Sequence, residues 1–263
     1  MNKKFIISLL SALALVLPGC GGQKMGTYPD ADKYVAGSKE YENVEVNKIA
    51  IDWISGSLTL IEDESATGVT ISEVTTLTEE NALVHTYLHD GILNVKYFAS
   101  GYWIDKFNYQ KALTITYNPG LDELEVDMTS GNLTATTINS KKVNFDFTSG
   151  TINVENIVSD DISVDLTSGR ATLTKVNAKN FNGRLTSGSI KTNFETVEKA
   201  SFNLTSGNID ITLPTSGGSV NVNKTSGSVI ANRECTISEN IYKFGSGTSD
   251  IKVSMTSGIV TIN

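Results

Sequence analysis

Apolar and polar residues alternate in short runs, and the runs return at a fixed distance along the C-terminal half of the chain. With Gly150 as origin, Val143, Phe145 and Phe147 lie seven, five and three residues before it, separated by Asn144 and Asp146. Ile152 and Val154 lie two and four residues after it. The same offsets hold Leu124, Val126 and Met128 before Gly131, Ile162, Val164 and Leu166 before Gly169, and Ile251, Val253 and Met255 before Gly258. Only Gly183, Lys224 and Asn240 break the apolar set. Period-two alternation is the mark of a strand with one buried face. Each unit therefore reads as strand, corner, strand and return loop.

The corner glycines are Gly131, Gly150, Gly169, Gly188, Gly207, Gly227, Gly247 and Gly258, at steps of 19, 19, 19, 19, 20, 20 and 11. A fixed period near twenty residues signals a solenoid. Nineteen residues cannot hold a helix and two strands, and one unit cannot bury its own apolar face, so the units must stack with like strands pairing in parallel. The expected fold is all-β, a parallel β-helix (β-solenoid) of about 19-residue Thr-Ser-Gly coils. Glycine suits the corner because it accepts positive φ without steric cost, and the neighbouring Ser can bond to local backbone. With coils about 4.8 Å apart, Thr129, Thr148, Thr167, Thr186, Thr205 and Thr225 should form a file. The final step of 11 predicts a shortened last coil that closes the stack, with Ile251 serving both corners.

Upstream, Ile49-Ala50-Ile51-Asp52-Trp53-Ile54-Ser55-Gly56-Ser57-Leu58-Thr59-Leu60 keeps the same register, which adds Gly56 to the series. Strand candidates follow at 68–76, 82–88, 91–98 and 111–118, with Asp90-Gly91 as a hairpin turn. This antiparallel hairpin section is expected to cap the open end of the first coil. The chain divides into 1–19, a lipoprotein signal peptide; 20–43, a lipidated Cys and flexible tether; 44–120, N-terminal strands and cap; and 121–263, the solenoid repeats.

The signal reading comes from Met1-Asn2-Lys3-Lys4, an apolar run from Phe5 to Leu17, and Leu17-Pro18-Gly19-Cys20. The run is too short to span a bilayer comfortably. Leu, a spacer, a small residue and Cys resemble a bacterial lipobox, so Cys20 is expected to carry lipid and begin the mature chain. The anchor would be acyl chains that bury methylenes in the membrane. The other cysteine, Cys235, then has no disulfide partner and reads as a small buried hydrophobe. The 263 residues are 39% hydrophobic, enough for a sizeable core, and carry a net charge of −8 with no basic cluster. That argues against nucleic acid and against an electrostatic membrane patch.

Catalytic constellations are sparse. His85 and His89 are the two histidines; on a strand they would sit about 13 Å apart on one face, as solvated surface rather than a metal site. Asp52, Asp127, Asp146 and Asp165 fall at equivalent outward positions, continued by Arg184, Asn203, Asn223 and Lys243, and read as a wet face. Thr134, Asn153, Thr172, Lys191 and Asp210 do not make the second Thr column that an ice-binding solenoid requires. Return loops such as Asn139-Ser140-Lys141-Lys142 are too short to wall the cleft of a polysaccharide-degrading enzyme, and there is no Ser/His/Asp or Cys/His set. No enzyme, metal or cofactor is predicted. Phe98-Ala99-Ser100-Gly101-Tyr102-Trp103-Ile104-Asp105-Lys106-Phe107-Asn108-Tyr109 brings five aromatics together. Phe98, Tyr102, Trp103, Phe107 and Tyr109 are the candidate platform for a glycan or protein partner; the competing reading packs them over the end of the solenoid as part of its cap.

With lipobox, tether, the Ile-Asp-Trp-Ile-Ser-Gly-Ser segment and the Thr-Ser-Gly series, the chain over about 44–263 resembles the bacterial "putative adhesin" domains, cell-envelope proteins with β-strand repeats. The resemblance implies a parallel β-helix and an adhesive or envelope-associated role, and carries no binding residues with it. The expected function is a membrane-anchored surface lipoprotein that binds an envelope glycan or surface protein without catalysis. The alternatives are a structural or sensory envelope protein acting through a membrane partner, or a polysaccharide-active enzyme. The expected address is the extracytoplasmic face of the cell membrane, or the outer membrane in a Gram-negative cell.

Overall fold

The computed structural model describes residues 23–105 and 108–263. Cys20 and the signal segment lie outside the described residues, as does Phe107. Among the described residues the chain is all-β and solenoid-like, with two short 3-10 turns, Ala31–Lys33 and Glu80–Ala82, and no α-helix.

Two ladders of strands meet at the Ser-Gly corners. Before the corner, Lys48–Trp53 pairs in parallel with Leu121–Met128, which pairs in parallel with residues 140–147. After the corner, Ser57–Glu62 pairs in parallel with residues 132–135, which pair with 151–154. The register is 19 residues, with Val143 opposite Ile162 and Leu133 opposite Ile152. The alternation of the sequence is what the structure buries: Val143, Phe145, Phe147, Ile152 and Val154 all lie in the core. Gly183 breaks the apolar series for a packing reason. A Cβ there would lie 2.8 Å from the Phe202 ring, and Phe202 packs at a tilt against Phe181, centroids 5.2 Å apart.

The corner glycines form one file in the order Gly56, Gly131, Gly150, Gly169, Gly188, Gly207, Gly258, Gly227. Along it, a Cβ on each glycine after Gly56 would fall 2.0–2.4 Å from the preceding glycine's carbonyl oxygen. Backbone approach that close leaves room for hydrogen only, and the φ of +95° to +144° suits glycine alone. The expected Thr file exists too, running Thr186, Thr205, Thr256, Thr225 at its end: the Ser206 amide bonds to Thr186 O, Ser257 to Thr205 O, and Ser226 to Thr256 O.

The order of these files corrects the expected end of the stack. Ser249–Met255 pairs in parallel with residues 199–204 on one side and with Gly217–Lys224 on the other. Ile259–Ile262 likewise lies between Asn208–Thr212 and Ser228–Ala231. The C-terminal coil is thus inserted one place inside the end, and the coil of 217–231 is outermost. Gly247 does not join the corner file; it packs on the backbone of Ser216 and Gly217. The reason is the hairpin of Thr236–Ser238 and Ile241–Gly245, which pairs antiparallel with Gly217–Lys224 and brings the chain back before its last coil. Lys243 therefore faces Ser219 rather than extending the carboxylate row.

At the other end, His85–His89 and Ile92–Lys96 form the hairpin signalled by Asp90-Gly91, both residues at positive φ. Its inner strand adds in parallel to Lys48–Trp53, and Lys111–Tyr117 adds in parallel to Ser57–Glu62. Gly68–Thr75 and Lys39–Glu42 extend the second ladder antiparallel. The cap thus prolongs both ladders.

Candidate functional site

The aromatic stretch splits between core and surface. Phe98 is fully buried and cannot face a ligand; its ring meets Tyr97, Tyr102 and Tyr109 at centroid distances of 4.4, 5.4 and 6.4 Å. Tyr102 and Tyr109 are partly buried against the core, and the Tyr102 hydroxyl donates to Glu79 at 2.6 Å. That carboxylate bond and burial push the Tyr102 hydroxyl up to about 12. Among the described aromatics of the stretch, Trp103 alone is well exposed, at 51%. The described aromatics therefore pack largely as cover for the end of the core, in line with the competing reading.

Beneath them sits a group the alternation gives no reason to expect. Lys111 is buried; its Nζ donates to Ala82 O at 2.7 Å and pairs with Glu73, and it lies 4.8 Å from the Tyr97 centroid and 5.0 Å from that of Phe98. Desolvation holds its pKa below the usual lysine value, partly offset by Glu73. Lys111 falls at an inward position of its strand, so the signal was a charged residue in an apolar slot.

The histidines are not a pair on open surface. His85 is buried, with Nδ1 3.0 Å from Leu83 O, and burial lowers its pKa. His89 is exposed, stacked on Tyr87 and 3.2 Å from Asp90. Among the described residues no cluster of three metal-ligating side chains occurs. Cys235 is free and half-buried.

The outward face of the first ladder carries rows of polar side chains and two hollows. One row runs Asp52, Asp127, Asp146, Asp165 in adjacent strands, then Arg184, whose guanidinium reaches Asp165 at 3.3 Å, and further on Asn203, Ser254 and Asn223. Asp127 has its pKa raised by desolvation and then by Asp52 and Asp146; in Asp165 desolvation leads and Arg184 opposes it. Beside this row lie Asn144, Ser163, Asn182, Ser201 and Lys252, which line a hollow of about 460 Å³ edged by Lys142, Asp161, Lys199 and Asp250. A second hollow of about 670 Å³, nearer the corners, is lined by Arg184, Asn203, Ser254, Asn223 and the corner threonines Thr186, Thr205, Thr225 and Thr256. Short amide and hydroxyl side chains repeat here once per coil, offering alternating donors and acceptors.

A family model described as Toastrack DUF4097 matches residues 40–263, nearly all of both ladders. The chain belongs to this family. No curated protein matches the sequence of this Toastrack chain. Among solved structures it is similar to a "putative cell adhesion protein" of Clostridium sporogenes (17% identity, 88% of this chain and 99% of that one, TM-score 0.39). It is similar also to a "putative adhesin" of Bacteroides fragilis (14%, 86% and 96%, 0.42), and to a "putative lipid binding protein" of Parabacteroides distasonis (16%, 87% and 97%, 0.45). Among the described residues of the Toastrack chain, no helix is long and apolar enough to cross a membrane.

Proposed function

We propose that this Toastrack chain is a non-catalytic binding module, held by lipid on Cys20 at the extracytoplasmic face of a bacterial membrane, whose outward first ladder receives an extended, hydroxyl-rich polymer such as an envelope glycan. The observation that carries the reading is a pair of hollows on one outward face, lined by Asn, Ser, Thr and mixed charges, with Ile162, Phe181 and Ala200 also lining one of them. A repeating polar surface suits a repeating polar ligand, because each coil can offer the same bonds to successive units. In this reading the coils are those of a parallel β-helix, supported by the 19-residue parallel register, and the aromatic stretch serves as a lid on the core.

The test is a binding screen of the chain against purified peptidoglycan, teichoic acid, host glycans and matrix proteins. Saturable binding weakened by Asn182→Ala or Arg184→Ala, and unchanged by Trp103→Ala, supports the ladder face. Loss on Trp103→Ala alone moves the site to the aromatic stretch. No binding, together with lipid-dependent co-purification of a membrane protein, replaces the reading with a structural or sensory role. Metabolic labelling with a radioactive fatty acid, lost in Cys20→Ala, checks the anchor.

A further inference from the structure

The two ends of the stack are finished differently. At the N-terminal end the inward side chains Leu93, Val95, Leu113 and Ile115 have at most 1% exposure. At the C-terminal end the inward-facing Val229 and Ala231 stay partly exposed, although Val260 and Ile262, one strand further in, are completely buried. The segment that follows supplies Cys235 as partial cover and leaves Ile237 61% exposed.

The sheet edges differ in the same way. Exposed edges invite pairing with another chain and are ordinarily blunted by shortness or charge. Val35–Ala36 has two residues and Thr236–Ser238 three. Lys39–Glu42 carries three charged residues. Ser228–Ala231 has neither protection: it is four uncharged residues, Ser-Val-Ile-Ala, paired on one side with Ile259–Ile262. Its outward Ile230 is 45% exposed, and Ile259 on the next strand 40%.

We infer that this end is the interface for a second copy of the chain, joined by antiparallel pairing of Ser228–Ala231 about a two-fold axis. An unpaired strand edge is satisfied by another extended backbone, and an apolar one by an apolar sequence. Head-to-tail stacking would set the charged edge Lys39–Glu42 against Val229 and Ile230 and would not close. A two-fold contact is closed and self-complementary: centred on Ile230, it opposes Ile230 with Ile230 and Val229 with Ala231. It also supplies the cover that Val229 and Ala231 lack.

The test is oxidative cross-linking of the full chain in membranes, in a Cys235→Ser background that retains Cys20. Ile230→Cys is expected to give a disulfide-linked dimer well above the parent, and Thr134→Cys, outward but in mid-stack, is expected to match the parent. Sedimentation of the detergent-solubilised full chain should show a dimer, weakened about ten-fold or more in dissociation constant by Ile230→Lys with an unchanged circular dichroism spectrum. Cross-linking of Ile230→Cys no faster than that of Thr134→Cys, a product with the mass of another protein, or a dimer that survives Ile230→Lys would each overturn the assignment.

Discussion

Lys111 and Glu73 form an ion pair in which neither side chain reaches solvent, roofed by the rings of Trp53, Tyr97 and Phe98. Removing one partner leaves the other charge uncompensated in the core, a cost of about 3–5 kcal/mol. Glu73→Gln is therefore expected to lower the unfolding free energy by that amount in urea denaturation, whereas a paired exchange to apolar residues of similar size should cost far less. Burial lowers the Lys111 pKa from 10.5, so below 10.5 the unfolded state binds more protons and stability rises with pH through that window. Glu73 opposes the shift, and its removal deepens it. The Glu73→Gln variant should accordingly recover stability more steeply than the parent between neutral pH and 10.5.

Ile262 lies on the strand Ile259–Ile262, inserted between two earlier strands. Here it is wholly buried and flanked by Ile211 and Ala231. Ile262→Ala should cost about 2–5 kcal/mol, as for a central core residue, read by the same denaturation.

Gly150 and Gly120 separate two reasons for glycine. Both have positive φ, but a Cβ on Gly150 would strike Gly131 O at 2.1 Å while one on Gly120 meets nothing within 4 Å. Gly120→Ala should cost about 1–3 kcal/mol from backbone strain alone. Gly150→Ala should cost distinctly more, with loss of the cooperative unfolding transition the extreme result.

Phe98→Ala should destabilise by about 3–5 kcal/mol, while Trp103→Ala, at an exposed site, should stay within about 0.5 kcal/mol of the parent. Equal effects of the two would contradict the division of the aromatic stretch into cover and surface.

Asp127 carries a pKa raised by desolvation and by Asp52 and Asp146. Its ionised form therefore lowers stability at neutral pH, and that penalty is relieved as pH falls through the raised value. Asp127→Asn should stabilise by a few tenths of a kcal/mol at neutral pH, with the gain fading in acid; thermal melts across pH measure it.

Most of the architecture was legible because the same physical demand recurs in every coil. Val143, Phe145 and Phe147 alternate with polar residues for the same reason as Ile162, Val164 and Leu166, and the corner glycine is fixed by backbone contact with its neighbour. Asp90-Gly91 announced its hairpin through two residues that tolerate positive φ. Chain order, however, carries no information on spatial order once the coils are alike: Val253 fits beside Phe202 as well as beside Val222, and the insertion of the last coil depends on the 236–245 hairpin. Lys111 escaped because its partner Glu73 lies on a strand 38 residues away, and Phe98 because periodicity does not distinguish an aromatic that covers a core from one that awaits a ligand. The polar face was legible as a wet row; its hollows arise from neighbouring strands and have no signature within one strand.

The insertion of Ser249–Met255 and Ile259–Ile262 between earlier strands also governs the order of folding. Coils up to residue 212 can zip together as they emerge from a ribosome or a translocation channel, each on a finished template. The coil of 217–231, paired until then only with Ile241–Gly245, has no parallel template until residues 249–262 have arrived. A chain stalled or clipped before residue 249 would hold two bare apolar ladders, 199–212 and 217–231, and is the form on which chaperones and proteases of its compartment should act.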